Sequence, residues 1–251
     1  MKNRHFPDKK IPLGVLIFGF LFLPFTFGTL FAQGVDIPQS DNSSRWYIGV
    51  DAGTSFGFGT FRSFAADKTR AGYGFGLLGG YLINHYLSLE AEFRYSHLSL
   101  GAYDCCKNLW LGADGNRYYA PLAGTDNYRY GDLRSSVNMY QLGLRLNIDL
   151  IRLFKPESRW SLLVSPGIYD LCSKATVKTT KDGYNVLSGD SELLFGAGGD
   201  LGLGYRINDR TSIRLYTGIT GIWGGAMDGL PQTEHTTNYV WNSGFKVTFS
   251  L

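Results

Sequence analysis

Asn242-Ser243-Gly244-Phe245-Lys246-Val247-Thr248-Phe249-Ser250-Leu251 is the stretch on which the fold turns. Side chains along a strand point alternately to opposite faces. Tyr239, Trp241, Phe245, Val247, Phe249 and Leu251 stand on one parity, and Asn238, Asn242, Gly244, Lys246, Thr248 and Ser250 on the other. One face is apolar enough for lipid, while the other is polar or small. The wall of a transmembrane β-barrel alternates in this way, apolar outward and polar inward.

Seven more stretches carry the same pattern. Going back to the start of the pattern, Trp46–Phe58 predicts a first strand, with Trp46, Ile48, Val50, Ala52, Phe56 and Phe58 outward. Tyr73–Leu82 predicts a second, with glycines mostly inward. In Leu87–Leu98, Leu87, Leu89, Ala91, Phe93 and Tyr95 oppose Ser88, Glu90, Glu92, Arg94 and Ser96. Asn138–Leu150 follows, then Trp160–Ile168, Leu193–Tyr205 and Ser212–Ile222. With Asn238–Leu251 the count is eight, and an even number suits a bacterial barrel. Connections near Asn84-His85 and Asn208-Asp209 are tight, and Ile151–Arg159 is somewhat longer. Those at 59–72, 97–137, 170–190 and 224–237 are long and rich in Gly, Asp, Thr and Tyr. Short periplasmic turns and long outer loops are the expected asymmetry. The expected architecture is an all-β, eight-stranded antiparallel up-and-down barrel over 46–251, with its loops facing outside the cell.

The N-terminus agrees. Lys2, Arg4, Lys9 and Lys10 precede an apolar run from Ile11 to Phe31, and Ala32 offers a small residue before Gln33. This reads as a secretory signal peptide over 1–32, followed by a short lead over 33–45. A retained membrane helix is the rival reading, against which Pro12 and Pro24 argue. Of 24 basic and 21 acidic residues, the leader holds four and one, which leaves 20 of each. A formally neutral mature chain gives no support to nucleic-acid binding. A content of 33 glycines and 15% aromatics suits short twisted strands with aromatic girdles at the membrane interfaces.

An internal repeat links two of the predicted turns. Gly80-Tyr81-Leu82-Ile83-Asn84 before Ser88-Leu89 returns as Gly204-Tyr205-Arg206-Ile207-Asn208 before Ser212-Ile213. Asn supplies the turn, and Tyr stands where an interface girdle needs an amphipathic ring. With Asn242, Gly244, Val247 and Phe249, the C-terminus resembles the signal that outer-membrane barrels show their insertion machinery; two residues follow the aromatic. From Trp46 to Leu251 the chain resembles the small eight-stranded barrels of the outer membrane protein A transmembrane domain and its loop-only relatives. The resemblance implies an integral protein of a Gram-negative outer membrane, partnered by lipid, without a C-terminal peptidoglycan-binding domain. It does not fix an activity, since such barrels serve as adhesins, stress and complement-resistance proteins, weak channels and, in a few cases, lipid-modifying enzymes.

The inward parity carries charges of both signs: Asp51, Glu90, Glu92 and Asp200 against Arg94, Arg145, Arg214 and Lys246. A barrel of eight strands is only wide enough for side chains to fill it. Charges there must pair or stay wet, because an isolated buried charge is very costly. A salt-bridge network that plugs the lumen is expected, with a porin-like polar path for small solutes as the alternative. The glycines of Gly72-Tyr73-Gly74-Phe75-Gly76 and Gly196-Ala197-Gly198-Gly199 continue in strand alternation. A nucleotide loop would need a helix after them, so small inward residues relieving crowding are the reading. No cofactor or metal site is expected.

His97-Leu98-Ser99 is similar to the His-x-Ser of outer-membrane lipid A deacylases, in which an Asn usually follows. Here Leu100 follows, and no acidic partner is evident on the same face, so an ordinary interfacial histidine is expected and the protein is read as non-enzymatic. Cys105, Cys106 and Cys172 fall in predicted outer loops, where disulfides are permitted. A bond from Cys105 or Cys106 to Cys172 would staple two loops; a vicinal bond or free thiols are the alternatives. The 97–137 connection carries Tyr103, Trp110, Tyr118, Tyr119, Tyr128 and Tyr130. Aromatic residues are enriched at binding hot spots, so this loop is expected to meet an extracellular protein or glycan, or to shield the surface. Its aromatics packing onto the barrel rim is the competing expectation.

Overall fold

A computed structural model describes residues 45–230 and 237–251. The leader at 1–32, the lead but for Arg45, and the centre of the 224–237 connection lie outside the described residues. The strands are β1 (Trp46–Phe58), β2 (Phe61–Arg62), β3 (Gly72–Leu82), β4 (Leu87–Ala102), β5 (Trp110–Gly112), β6 (Arg117–Tyr118) and β7 (Asn127–Arg129). They continue as β8 (Leu133–Asp149), β9 (Trp160–Thr179), β10 (Asn185–Ser188), β11 (Glu192–Arg206), β12 (Thr211–Trp223) and β13 (Asn238–Ser250). β1, β3, β4, β8, β9, β11, β12 and β13 pair in turn, always antiparallel. β13 then pairs with β1, from Tyr47↔Ser250 to Phe58↔Tyr239, and closes the ring. Among the described residues no helix is long and apolar enough to cross a membrane.

Three wall strands are taller than the rest. β4, β8 and β9 have 16, 17 and 20 residues, against 13 in β1, β12 and β13. About 9–11 tilted residues cross a bilayer, so this side of the wall continues past it. The side-chain polarity inverts on the way up. Low on β4, Leu89 and Phe93 point outward and Glu90 and Glu92 inward; above Ser96, Leu98 and Leu100 are fully buried inside. β8 changes likewise, from outward Tyr140 and Leu146 to inward Val137 and Met139. On β9 it is Tyr169, Leu171, Ala175 and Val177 that turn inward. Below the change the outside is lipid; above it the outside is water and the interior is the dry side.

This inversion corrects three expected boundaries. The second long connection is 103–132, not 97–137, because β4 runs on to Ala102 and β8 begins at Leu133. Most of the 170–190 connection is a β9–β10 hairpin. The first, 59–72, contains β2, which pairs with both β1 and β4.

At the opposite end, the repeated turns have one construction. Asn84 Oδ1 accepts from the Tyr86 and Leu87 amides at 3.0 and 2.8 Å. Asn208 Oδ1 accepts from Arg210 and Thr211 at 2.9 and 2.7 Å. Each repeat also seats its Tyr against a Trp on the neighbouring strand. Trp46–Tyr81 and Trp160–Tyr205 are cross-strand partners with ring centroids 5.0 and 4.9 Å apart.

Candidate functional site

The inside of the ring is filled in two storeys. The lower one is charged. Lys246 Nζ lies 2.8 Å from Glu92 Oε2 and 3.4 Å from Glu90 Oε1. Arg145 bridges Glu90, Glu92 and Asp200. Arg94 pairs with Asp51 at 2.5 Å and donates to the Tyr216 hydroxyl. Arg214 is the outlying member, 3.8 Å from Glu90. Tyr47 and Asn147 complete the shell, both donating to Glu90 Oε2. Four acids and four bases thus share one buried cluster, in which each charge has an opposite neighbour.

Glycines make room for it. A Cβ at Gly76 would stand 2.9 Å from Asp51 Oδ1, and one at Gly202 would stand 2.9 Å from Arg214 Cδ. Sequence reasoning places these eight charges inward by parity. The same parity turns Tyr47 and Asn147 inward without assigning them to the network, and Tyr216 joins it unannounced; their hydrogen-bonding tips beside inward charges are the available signal.

The upper storey is apolar. Leu98, Leu100, Val137, Met139, Leu171, Val177, Ile222 and Val240 form its walls, and Phe61, Leu111, Tyr130, Met227 and Leu230 come down from the connections to close it. Val240 and Ile222 explain why the inward parity of β13 and β12 is not polar throughout. Asp228 locks this lid. Its Oδ2 accepts from the Phe61 amide at 2.7 Å, its Oδ1 from Leu230 at 3.2 Å, and its carbonyl from Ser135 Oγ at 2.7 Å. Burial pushes its carboxyl up to about 6, against the pull of the amides that donate to it.

Above the lid, β5 sits between β6 and β7 in a separate three-stranded sheet. The loop aromatics divide. Tyr130 is fully buried in the lid and Tyr128 packs against it, while Tyr119 is 85% exposed. Tyr103 lies under Arg62, with the guanidinium carbon 4.3 Å from the ring centre, tying this connection to the first. On the neighbouring hairpin Tyr184 is 62% exposed.

His97 and Ser99 stand on the outer face of β4, and no hydrogen bond joins their side chains. His97 Nδ1 meets Asn138 Oδ1 at 2.9 Å, the oxygen that also accepts from Tyr95 at 2.8 Å, and the ring stacks on Tyr73. The setting is an aromatic belt of Tyr73, Tyr95 and Tyr140. All three cysteines are free thiols. Cys105 and Cys106 hold their Sγ atoms 3.1 Å apart. Cys172 is not in a loop; it lies on the outer face of β9, between Tyr140 and Leu193 in register. Burial, with Cys105 alongside, pushes the Cys106 thiol up to about 11. Among the described residues no group of three His, Cys, Asp or Glu is placed to hold a metal.

The model of the outer membrane protein β-barrel domain family matches residues 25–251. No curated protein sequence matches the chain. Among solved structures, Neisserial surface protein A is 13% identical, covering 84% of this chain and 100% of its own, with a TM-score of 0.45. Ail, the attachment invasion locus protein of Yersinia pestis, is 10% identical over 82% and 99%, with a TM-score of 0.42. The outer membrane protease OmpT of Escherichia coli is 9% identical over 85% and 99%, at 0.39.

Proposed function

Because the chain belongs to the outer membrane protein β-barrel domain family, we propose that it is a non-enzymatic barrel that presents a rigid recognition surface outside the cell, for an extracellular protein or glycan. One observation carries this: the long connections are folded into the barrel's own core. Phe61, Leu111, Tyr130 and Met227 are wholly buried. The β5–β7 sheet is therefore fixed in place while Tyr119, Leu122 and Tyr184 stay in solvent. Binding by pre-ordered aromatics loses little conformational entropy.

Two rival roles are less well supported. A solute channel would need a path through both the apolar lid and the charge cluster. A hydrolase would need the His97 ring to activate Ser99, and no hydrogen bond joins the two side chains; the Asn138 contact on Nδ1 leaves Nε2 without Ser99 as its partner.

The test uses cells displaying the intact protein and a panel of immobilised matrix proteins and sulfated glycans. Tyr119→Ser with Leu122→Ser and Tyr184→Ser should weaken any binding by about tenfold or more, since exposed aromatic anchors dominate such contacts. Undiminished binding would sink the recognition surface. Loss of an acyl chain from lipid A that needs His97 and Ser99 would replace it with the enzyme.

A further inference from the structure

The periplasmic mouth of the barrel is not sealed as its outer end is. A polar cavity of about 200 Å³ opens there between the repeated turns and the helical turn Leu150–Phe154. Four arginines line it: Arg152, Arg206, Arg210 and Arg214. Among the described residues their donors are largely unused. Arg214 has only the 3.8 Å approach to Glu90, and Arg206 a 3.4 Å bond to the Glu157 carbonyl. Arg152 Nε is buried with no hydrogen-bond acceptor and lies 3.4 Å from Asp149 Oδ2. Among the described residues Arg210 makes no side-chain hydrogen bond or ion pair.

Two acids line the same cavity, Asp149 and Asp209. Asp149 is already spent, with its Oδ1 accepting from the amides of Ile151, Arg152 and Leu162. Four guanidinium groups face two carboxylates here, with Arg214 shared with the cluster above, so positive charge is in excess. Burial pulls the Arg152 guanidinium below the ordinary arginine range; Asp149 opposes this, and Arg206 and Arg214 add to it.

We propose that this vestibule is a binding site for a phosphate group, held by Arg152, Arg206, Arg210 and Arg214. Guanidinium forks match phosphate oxygens two at a time, and a dianion offsets the mutual repulsion of several arginines. The cavity has room for roughly six waters at about 30 Å³ each, enough for one such group with residual hydration. Two sources share this chemistry: a soluble phosphorylated compound of the periplasm, and a phospholipid headgroup bending over the barrel rim.

The experiment is calorimetric titration of the full protein, extracted from outer membranes into a maltoside detergent, with inorganic phosphate. Saturable binding is expected. Arg206→Gln with Arg210→Gln should weaken it about tenfold, while Arg134→Gln, on the outer face at the far end, should leave it unchanged. Arg210→Gln alone removes no contact of the wall, so it keeps the test meaningful if the double variant folds poorly; a loss of about threefold is expected from one fewer charged donor. Repeating the titration in phosphatidylglycerol nanodiscs separates the sources. Weaker apparent phosphate affinity there assigns the site to a headgroup, and equal affinity assigns it to a soluble phosphate. Absence of saturable binding, or equal affinity in the Arg210 variant, overturns the proposal.

Discussion

Asp228 and Arg145 are both buried and ionisable, yet they answer differently to perturbation. Among the described residues Asp228 has no cation paired with it, only amide donors to its carboxylate, and its carboxyl is raised from 3.8 to about 6. An acid raised on folding stabilises the fold fully below its unfolded value, and that stabilisation is lost as pH climbs through the folded value. The lid should therefore loosen between about pH 4 and pH 6, by up to ~3 kcal/mol. Amide exchange at Phe61 and Leu230, corrected for intrinsic rates, should quicken across that range. Asp228→Asn should flatten the dependence, and a variant that keeps it would show that another group titrates. Arg145 touches three carboxylates. Arg145→Ala should cost about 3–5 kcal/mol, because the acids stay buried without it. Arg214→Ala should cost less, since Arg214 is 16% exposed and only grazes Glu90. Denaturant midpoints of the two variants in the same detergent decide this, and equal losses would contradict the ranking.

Among the elements, the seam between β1 and β13 leaves little room. Gly53 and Gly244 face each other across it, and a Cβ on Gly244 would lie 2.7 Å from the Gly53 Cα. Backbone cannot yield as a side-chain tip can. Gly244→Ala should destabilise by about 1–3 kcal/mol and slow refolding, read as the fraction reaching the fast-migrating form in unheated gels. An Ala variant that folds like the parent would mean the seam is slack. The 103–130 segment is less dispensable than its loop-like sequence suggests. Its Leu111 and Tyr130 are fully buried, so replacing it with a short linker should leave wall pairing intact but expose Leu98, Leu100 and Met139. Stronger binding of a fluorescent apolar dye would report this.

These elements also mark how far sequence could see. Within the bilayer most apolar residues of the wall strands point outward, Leu78 and Leu163 being inward exceptions, and β1 is legible to its last residue. In the tall halves of β4, β8 and β9 the alternation continues with its sign reversed, so Leu100 and Val137 look like loop residues and Leu98 and Met139 like strand ends. Parity likewise put the eight lumen charges inside. It could not say that Arg94 meets Asp51 while Arg145 meets Asp200, because that depends on which strands face each other across the ring.

At the scale of the whole molecule, two closures in series govern behaviour. The charge cluster fills the lower lumen and the apolar lid covers it. Planar-bilayer recordings should therefore show little or no steady conductance, and Asp228→Ala, which unlocks the lid alone, should not open a pore. Large regular openings in the parent would require another arrangement of the lumen. The folded protein should also migrate faster than its boiled form and give a β-type circular dichroism spectrum. Closure of the ring has a further consequence, one of timing. The seam joins the wall strand nearest the N-terminus to the one nearest the C-terminus, with the Leu251 amide bonded to the Trp46 carbonyl at 3.0 Å. While the chain is still emerging, β1 must wait with one edge bare until β13 is delivered. The last strand made is the one that ends the risk of sticking to a stranger, so whatever escorts this chain to the membrane has to hold the first strand's place until then.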